Sequence, residues 1–468
     1  MEPSIIMNYK DYFPYDSYRK QQKQVIKDIY NGVSKQKNVL FVAPNGTGKT
    51  IDNLAATLPV AIDNNLKVIY LCRTHQQSGR VIDEIKKINK KIRANSKDEK
   101  TNIRPISAVS IRGRSEMCLH RTIKKLKGSP ADIMNVCADL RKNRNCRYYN
   151  TMIQRKTQMN QRLAEISNRS IDAQDLIKFC KVNKYCPYFF AKLMLRDVRV
   201  IVCNYLWIFH PNIRETFVEG ADLQLEDTIL IMDECHNLPN IATDIESTRL
   251  TLYAIEQSLK DLEYGRATRE MQSSVKIWED IIKFLKRKVR KKELELDKKE
   301  VLKNYMQKAK FKSTMELKNF LNDLEEYGNA IYEEKLQSGT AAIDFISGIV
   351  QFTRKLIEVI DDRRFFFAAT PKTTKRGNKK VHIELVCLDP RILTQDIFDL
   401  CYSSVSCSGT IHPESFTLLM GLDNTTKLLS TLEIRSPFPK RNLKVIITDG
   451  VNTRLRNRTQ NTYESMIN

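Results

Sequence analysis

The chain has 468 residues, 41% of them hydrophobic, 11 cysteines and a formal net charge of +23. The length and apolar content are those of a globular protein of two to four domains. An odd cysteine count argues against a secreted disulfide framework, and no apolar run approaches the roughly 18 residues a membrane helix needs. The charge calls for a polyanionic partner, nucleic acid first, although a lysine-rich proteome could give the same surface with none. Met1 to Asp11 lacks a basic segment followed by an apolar one, so no signal peptide is expected. The expectation is a soluble, intracellular protein without a membrane partner.

In chain order, Asn38–Val42 reads as a buried strand. It leads into Ala43-Pro44-Asn45-Gly46-Thr47-Gly48-Lys49-Thr50, a phosphate-binding loop with alanine at its first position. The loop's backbone N–H groups should cradle phosphate at the start of the next helix. Lys49 should reach the β/γ-phosphates of ATP, and Thr50 should hold Mg²⁺. Lys67–Leu71, Val198–Val202 and Thr228–Met232 are further strands, and Ser403–Ser406 returns to the same sheet. Near-continuous Val/Ile/Leu strands separated by helices predict an α/β fold with a parallel sheet covered on both faces. Asp233-Glu234-Cys235-His236 ends one of these strands. Asp233 is the second expected Mg²⁺ ligand, and Glu234 the group that orients and deprotonates the attacking water.

Two insertions interrupt the sheet. The first runs from about Arg112 to Tyr188, with 12 Lys/Arg against 3 Asp/Glu between Arg112 and Lys156. It carries Cys118, Cys137, Cys146 and Cys186, spaced Cys-x18-Cys-x8-Cys-x39-Cys. This is not the Cys-x2-Cys spacing of zinc ribbons or compact ferredoxins, so by spacing alone buried, unliganded thiols are the favoured reading. Cys180, six positions before Cys186, is an alternative ligand. Cys72, Cys203, Cys235, Cys387, Cys401 and Cys407 lie in or beside strand-like runs and read as core. The second insertion, about Asp244 to Pro390, reads as helical and charged, with helices at Thr251–Tyr264 and Met271–Lys303. The 13 basic and 4 acidic residues of Lys283–Lys312 read as a solvated helix face rather than a DNA contact.

These residues resemble the XPD-type DNA helicases of superfamily 2, which carry an iron–sulfur cluster. Phe13-Pro14-Tyr15-Asp16 with Gln22 resembles the family's adenine-reading entry motif. Tyr70-Leu71-Cys72-Arg73-Thr74-His75 resembles its first DNA-contact motif. Arg114-Ser115-Glu116-Met117-Cys118, Cys146-Arg147-Tyr148-Tyr149 and Cys186-Pro187-Tyr188-Phe189 resemble its cluster-ligand segments, with Cys137 where the remaining ligand is expected. Cys203-Asn204-Tyr205, Asp233 to Asn237 and Ser408-Gly409-Thr410 follow in family order. The resemblance implies a RecA-like motor domain with an inserted cluster domain and an inserted, mainly helical arch. The boundaries it implies are motor domain at 1–112, 191–243 and 396–435, cluster domain at 113–190, and arch at 244–395.

The resemblance implies ATP at Gln22 and Pro44 to Thr50, and catalysis by Lys49, Thr50, Asp233, Glu234 and His236. It implies a 4Fe–4S cluster on Cys118, Cys137, Cys146 and Cys186, and single-stranded DNA against Arg73, Arg114 and Tyr205. A second motor domain is expected to begin near Ser436-Pro437-Phe438-Pro439, with Leu443–Ile447 as its approach and 436–468 as a truncated start. Gln76 to Arg80 imitates the start of that domain's arginine-finger motif by coincidence. The expected function is therefore an XPD-like 5′→3′ helicase whose second motor domain is supplied by another chain or was lost with a truncated reading frame. The alternatives are a non-motor DNA- and ATP-binding sensor or regulatory subunit, and a zinc-bearing nucleotide-binding protein.

Overall fold

The computed structural model describes residues 9–97, 103–126, 128–289, 292–338, 343–373, 379–439, 441, 454 and 459–467. Twelve strands occur among them: β1 Asn38–Val42, β2 Lys67–Leu71, β3 Ala108–Ser110, β4 Ser170–Ile171, β5 Val200–Cys203, β6 Thr228–Asp233, β7 Thr248–Thr251, β8 Leu294–Glu295, β9 Phe365–Thr373, β10 Lys379–Cys387, β11 Ser403–Ser408 and β12 Leu429–Glu433. Eight form one sheet in the order β12-β1-β11-β6-β2-β5-β3-β4. Every pairing in it is parallel. β1 and β6 are buried along their whole length, as strands covered on both faces must be.

The position of β11 makes the site. This strand, more than 350 residues after β1, inserts between β1 and β6. Its register sets Val42 beside Ser408 and Cys407 beside Asp233. The ends of three strands distant in sequence therefore lie side by side at the carboxyl edge, where parallel sheets bind ligands. At Gly409, just past β11, an added Cβ would sit 3.0 Å from the Ala43 carbonyl oxygen, so a side chain there would push the two strand ends apart.

The cysteine-bearing insertion is less separate than its sequence boundaries imply. It contributes β4 to the main sheet. Ile166, Ala173, Leu176 and Phe190 join the motor core, and only Cys118, Ile123, Ile133, Val136 and Cys137 form a small core apart. Helix Pro130–Lys142 opens on a capping box between Ser129 and Asp132. Asp132 Oδ1 also accepts from Asp344 N at 3.0 Å, which fastens this helix to the second insertion.

The second insertion is mainly helical, as expected, and adds a sheet that the sequence did not announce. Its helices pack on a four-stranded antiparallel sheet ordered β7-β10-β9-β8. Its own core is centred on Trp278, stacked 4.6 Å from Tyr305 with Phe352 edge-on at 5.5 Å. Helix Leu252–Tyr264 starts as the sequence indicates, capped by Thr251. The single helix expected over Met271–Lys303 is two, Arg269–Lys288 and Lys298–Ala309, with β8 between them. The expected boundary at 395 falls inside helix Arg391–Leu400. Ile392 of that helix packs on the second core, whereas Ile397 and Phe398 belong to the motor core.

Residues Ile434–Asn468 form a separate compact unit. Its described part includes helix Gln460–Ile467. The strand expected at 443–447 lies outside the described residues.

Candidate nucleotide site and cysteine cavity

The phosphate loop joins β1 to helix Lys49–Asp63. Gly48 lies at φ +106°, a left-handed conformation that suits glycine, and an added Cβ would approach Gln22 Nε2 to 2.6 Å. Lys49 Nζ folds over the loop and donates to Ala43 O at 3.1 Å and Asn45 Oδ1 at 3.1 Å. Thr47 Oγ1 donates to Pro44 O at 2.9 Å. These contacts pre-shape the loop for an anion beside the lysine.

Gln22 is buried beside this loop. Its Oε1 accepts from Arg19 N at 3.0 Å and its Nε2 donates to Asp52 Oδ1 at 2.7 Å. Arg19 Nη1 in turn donates to Gly46 O. Arg19 and Asp52 are site residues that the sequence reading missed. The only signals were their spacings, three before Gln22 and three after Lys49. Burial pushes the Asp52 carboxyl up to about 8, although the Gln22 bond, Arg19 and Lys49 all pull it down. This is the reverse of the usual carboxylate case. The folded chain holds a proton that the unfolded chain loses near pH 4. The stability it contributes is complete below about pH 4 and is lost as pH rises through about 8. Asp52→Asn keeps an acceptor for Gln22 and removes this dependence. Without nucleotide or magnesium, its Tm relative to the parent is expected to climb by several degrees between about pH 5 and pH 9. A constant offset across that range would refute the assignment.

At the end of β6, Asp233 is buried. Burial first, then the adjacent Glu234, pushes its carboxyl upward, while Lys49 and a Cys407 thiol 3.7 Å away oppose the shift. Glu234 takes a left-handed backbone, φ 56° and ψ 47°. Such strain at a non-glycine residue is held by its surroundings. Here Asn237 supplies the hold, donating from N and Nδ2 to Glu234 O at 3.1 and 2.9 Å. Asn237 Nδ2 also lies 3.0 Å from His236 Nε2. With Nε2 as acceptor, the imidazole proton resides on Nδ1, which lies 2.9 Å from Ser408 Oγ and 3.3 Å from Glu234 Oε2. The amide oxygen of Asn237 accepts from Arg73 Nη1 at 2.7 Å. A continuous series of contacts thus runs from Glu234 through His236 and Asn237 to the exposed Arg73.

The other two expected DNA-contact residues are differently placed. Tyr205 is 2% exposed, and its hydroxyl donates to Asp233 O at 2.6 Å. Its ring has no open face for a base, so it props the end of β6 instead. The Arg114 guanidinium turns inward, 4.5 Å from the Tyr188 ring centroid, with Nη1 3.3 Å from Cys137 Sγ.

Cys118, Cys137, Cys146 and Cys186 line one cavity, together with Arg114, His120, Arg141, Tyr149, Tyr188 and Phe189. Burial pushes the Cys118 thiol up to about 11 and Cys186 up to about 12, and the neighbouring cysteines raise both further. Cys146 and Cys186 immediately precede helices Arg147–Gln154 and Pro187–Met194, whose first N–H groups favour a thiolate. Cys180 is fully buried in the motor core and does not line the cavity, which removes it as an alternative ligand. Among the described residues no three His, Cys, Asp or Glu side chains are drawn together for a single metal ion. Four thiolates on one zinc would stand only about 3.8 Å apart, given a bond of about 2.3 Å. Four thiols lining one cavity are the donor set of a thiolate-held metal group.

No helix among the described residues is long and apolar enough to cross a membrane.

A family model described as DEAD_2 matches residues 70–255. The chain is 26% identical over 280 residues to a regulator of telomere elongation helicase 1 homolog from Caenorhabditis briggsae, across 53% of this chain and 26% of that protein. It is 20% identical over 464 residues to ATP-dependent DNA helicase CHL1 of Scheffersomyces stipitis, across 93% of this chain and 52% of the relative. It thus spans about a quarter to a half of the length of these relatives. A solved structure described as "XPD_Helicase" aligns with a TM-score of 0.57 at 17% identity, over 96% of this chain and 69% of that one. Another, described as "Truncated XPD", aligns with a TM-score of 0.51 at 19% identity, over 89% and 100%. The structural likeness is one of fold, and the curated relatives that the chain matches over part of their length are described as helicases.

Proposed function

We propose that this chain supplies the nucleotide- and DNA-engaging motor domain of an XPD-like, ATP-dependent 5′→3′ DNA helicase. The observation that carries the reading is the contact series joining Glu234 to Arg73 through His236 and Asn237. Lys49 leaves its carbonyl partners for the β/γ-phosphates, and Glu234 takes the proton of the attacking water. Magnesium, held by Thr50 and Asp233, would supply charge neutralisation at those phosphates. His236 fixes the Glu234 carboxylate. A DNA phosphate arriving at Arg73 competes with the neutral Asn237 amide, and the charge-assisted pair is the stronger. Asn237 is then free to re-set Glu234 and His236, so DNA binding reaches the hydrolytic base through side chains. Tyr205 is not a DNA contact in this reading. Arg114 serves the cysteine cavity, where the four cysteines would hold a 4Fe–4S cluster that fastens the insertion together.

A second reading, a DNA- and ATP-binding sensor, rests on the single parallel motor sheet among the described residues. ATP turnover then needs a facing motor domain, whose arginine finger can be worth about 10³–10⁵ in rate. One experiment addresses both. A polypeptide of these 468 residues is assayed on a 5′-tailed duplex, with and without a separately expressed second motor domain. Alone, it is expected to bind single strands with steep salt dependence. It should turn over ATP at least about 10³-fold more slowly than the pair, and leave the duplex intact. Unwinding by the polypeptide alone would refute the need for a second body. No single-strand-stimulated turnover even by the pair would favour the sensor.

A further inference from the structure

The cysteine cavity contains two polar atoms that its thiols do not satisfy. His120 Nδ1 and Arg141 Nε are buried without a hydrogen-bond partner among the described residues, and both side chains line the cavity. Arg141 Nε–H is a donor, and His120 Nδ1 is one when protonated; buried polar groups are normally paired, so two orphans at one cavity point to an acceptor there. The Arg141 guanidinium lies 4.7 Å from the Phe189 ring centroid and 5.2 Å from that of Tyr149, two rings in edge contact with each other at 5.0 Å. Neither ring offers an acceptor to its Nε–H, which is left unused. The thiols already have donors of their own. Arg114 Nη1 serves Cys137, and the His120 backbone N–H lies 3.3 Å from Cys118 Sγ. An acceptor besides the four cysteines would satisfy both atoms.

We propose that Arg141 and His120 donate N–H groups to the inorganic sulfides of the cluster and favour its reduced form. This rests on the cluster reading above. A lone zinc ion brings no acceptor beyond the thiolates, whereas an iron–sulfur cluster brings sulfides. On reduction one electron enters the cluster, no bond breaks, and its negative charge rises by one. Donors and a fixed guanidinium charge stabilise the more negative state. The two are positioning residues that set redox poise; the four cysteines alone are the ligands.

The test uses the full chain, purified anaerobically, with iron and zinc measured first and an electrode or mediated dithionite as the electron source. Arg141→Leu is expected to keep its iron. At a fixed applied potential its reduced-to-oxidised ratio should fall at least about tenfold, equal to about 59 mV for a one-electron couple. Arg141→Lys keeps the charge and loses Nε–H, and should fall part of the way, which guards against a misfolded leucine variant. His120→Leu should shift in the same direction by less. Iron-replete variants whose ratios match the parent within about twofold would overturn the proposal and leave the cluster reading intact. A parent holding stoichiometric zinc and no iron would overturn both.

Discussion

Replacing Glu234 with glutamine is expected to lower single-strand-stimulated ATP hydrolysis by at least about 10²-fold while ATP still binds. The amide has the carboxylate's shape and can still meet His236 Nδ1 through its oxygen, so the left-handed turn at Glu234 keeps its supports from Asn237. What it lacks is basicity. Lys49→Ala makes the contrast, because it removes a cation from the phosphate site and should weaken ATP binding itself. Its loss also frees the Ala43 and Asn45 acceptors that the lysine now ties together. Nucleotide affinity by fluorescence titration and turnover by phosphate release separate the two variants. Equal turnover by the parent and Glu234→Gln, both assayed with the second motor domain supplied, would remove Glu234 from the role of base.

The nucleotide site was legible because its strands are continuous apolar runs ending in chemically distinctive residues. β1 and β2 match the expected spans, and β6 differs by one residue. Burial on both faces writes itself into such strands as unbroken Val/Ile/Leu. β12, Leu-Ser-Thr-Leu-Glu, is an edge strand with a half-polar sequence and gave no such signal. β9 and β10 were hidden for another reason. They pair with each other, and β10 also pairs with β7, more than a hundred residues earlier; strand preference depends on those partners. The long charged helices around them dominated the local pattern. Within the site, Lys49, Asp233 and Glu234 could be read because phosphate chemistry restricts the residue type at each place. Asp52, Asn237 and Arg141 could not. Their roles depend on which side chains the fold sets against them, and spacing from Lys49 or Glu234 alone does not announce that. Tyr205 shows the converse: a residue in a recognisable motif whose burial decides its role.

Cys118→Ser is expected to remove the iron, about four atoms in the parent, and with it the broad absorption near roughly 400 nm. The structural consequence should be as large as the spectroscopic one. The core around Cys118 and Cys137 holds just three other buried side chains, Ile123, Ile133 and Val136. Among the described residues that is little apolar burial to order the basic segment from Arg114 to Arg144, so in the cluster reading proposed above the bound group contributes folding free energy there. Without it, Cys186, pushed up to about 12, keeps its proton, and Arg114 loses the negative charge of the bound group beside it. Proteolytic cleavage within 113–190 should accelerate at least about tenfold, while the phosphate loop stays protected by the main sheet. Cys180→Ser is the control, since Cys180 packs in the motor core away from the cavity. It should retain full iron and the parental cleavage rate at the cluster ligands. Iron retained in Cys118→Ser, or lost in Cys180→Ser, would mean that the four ligands have been misassigned.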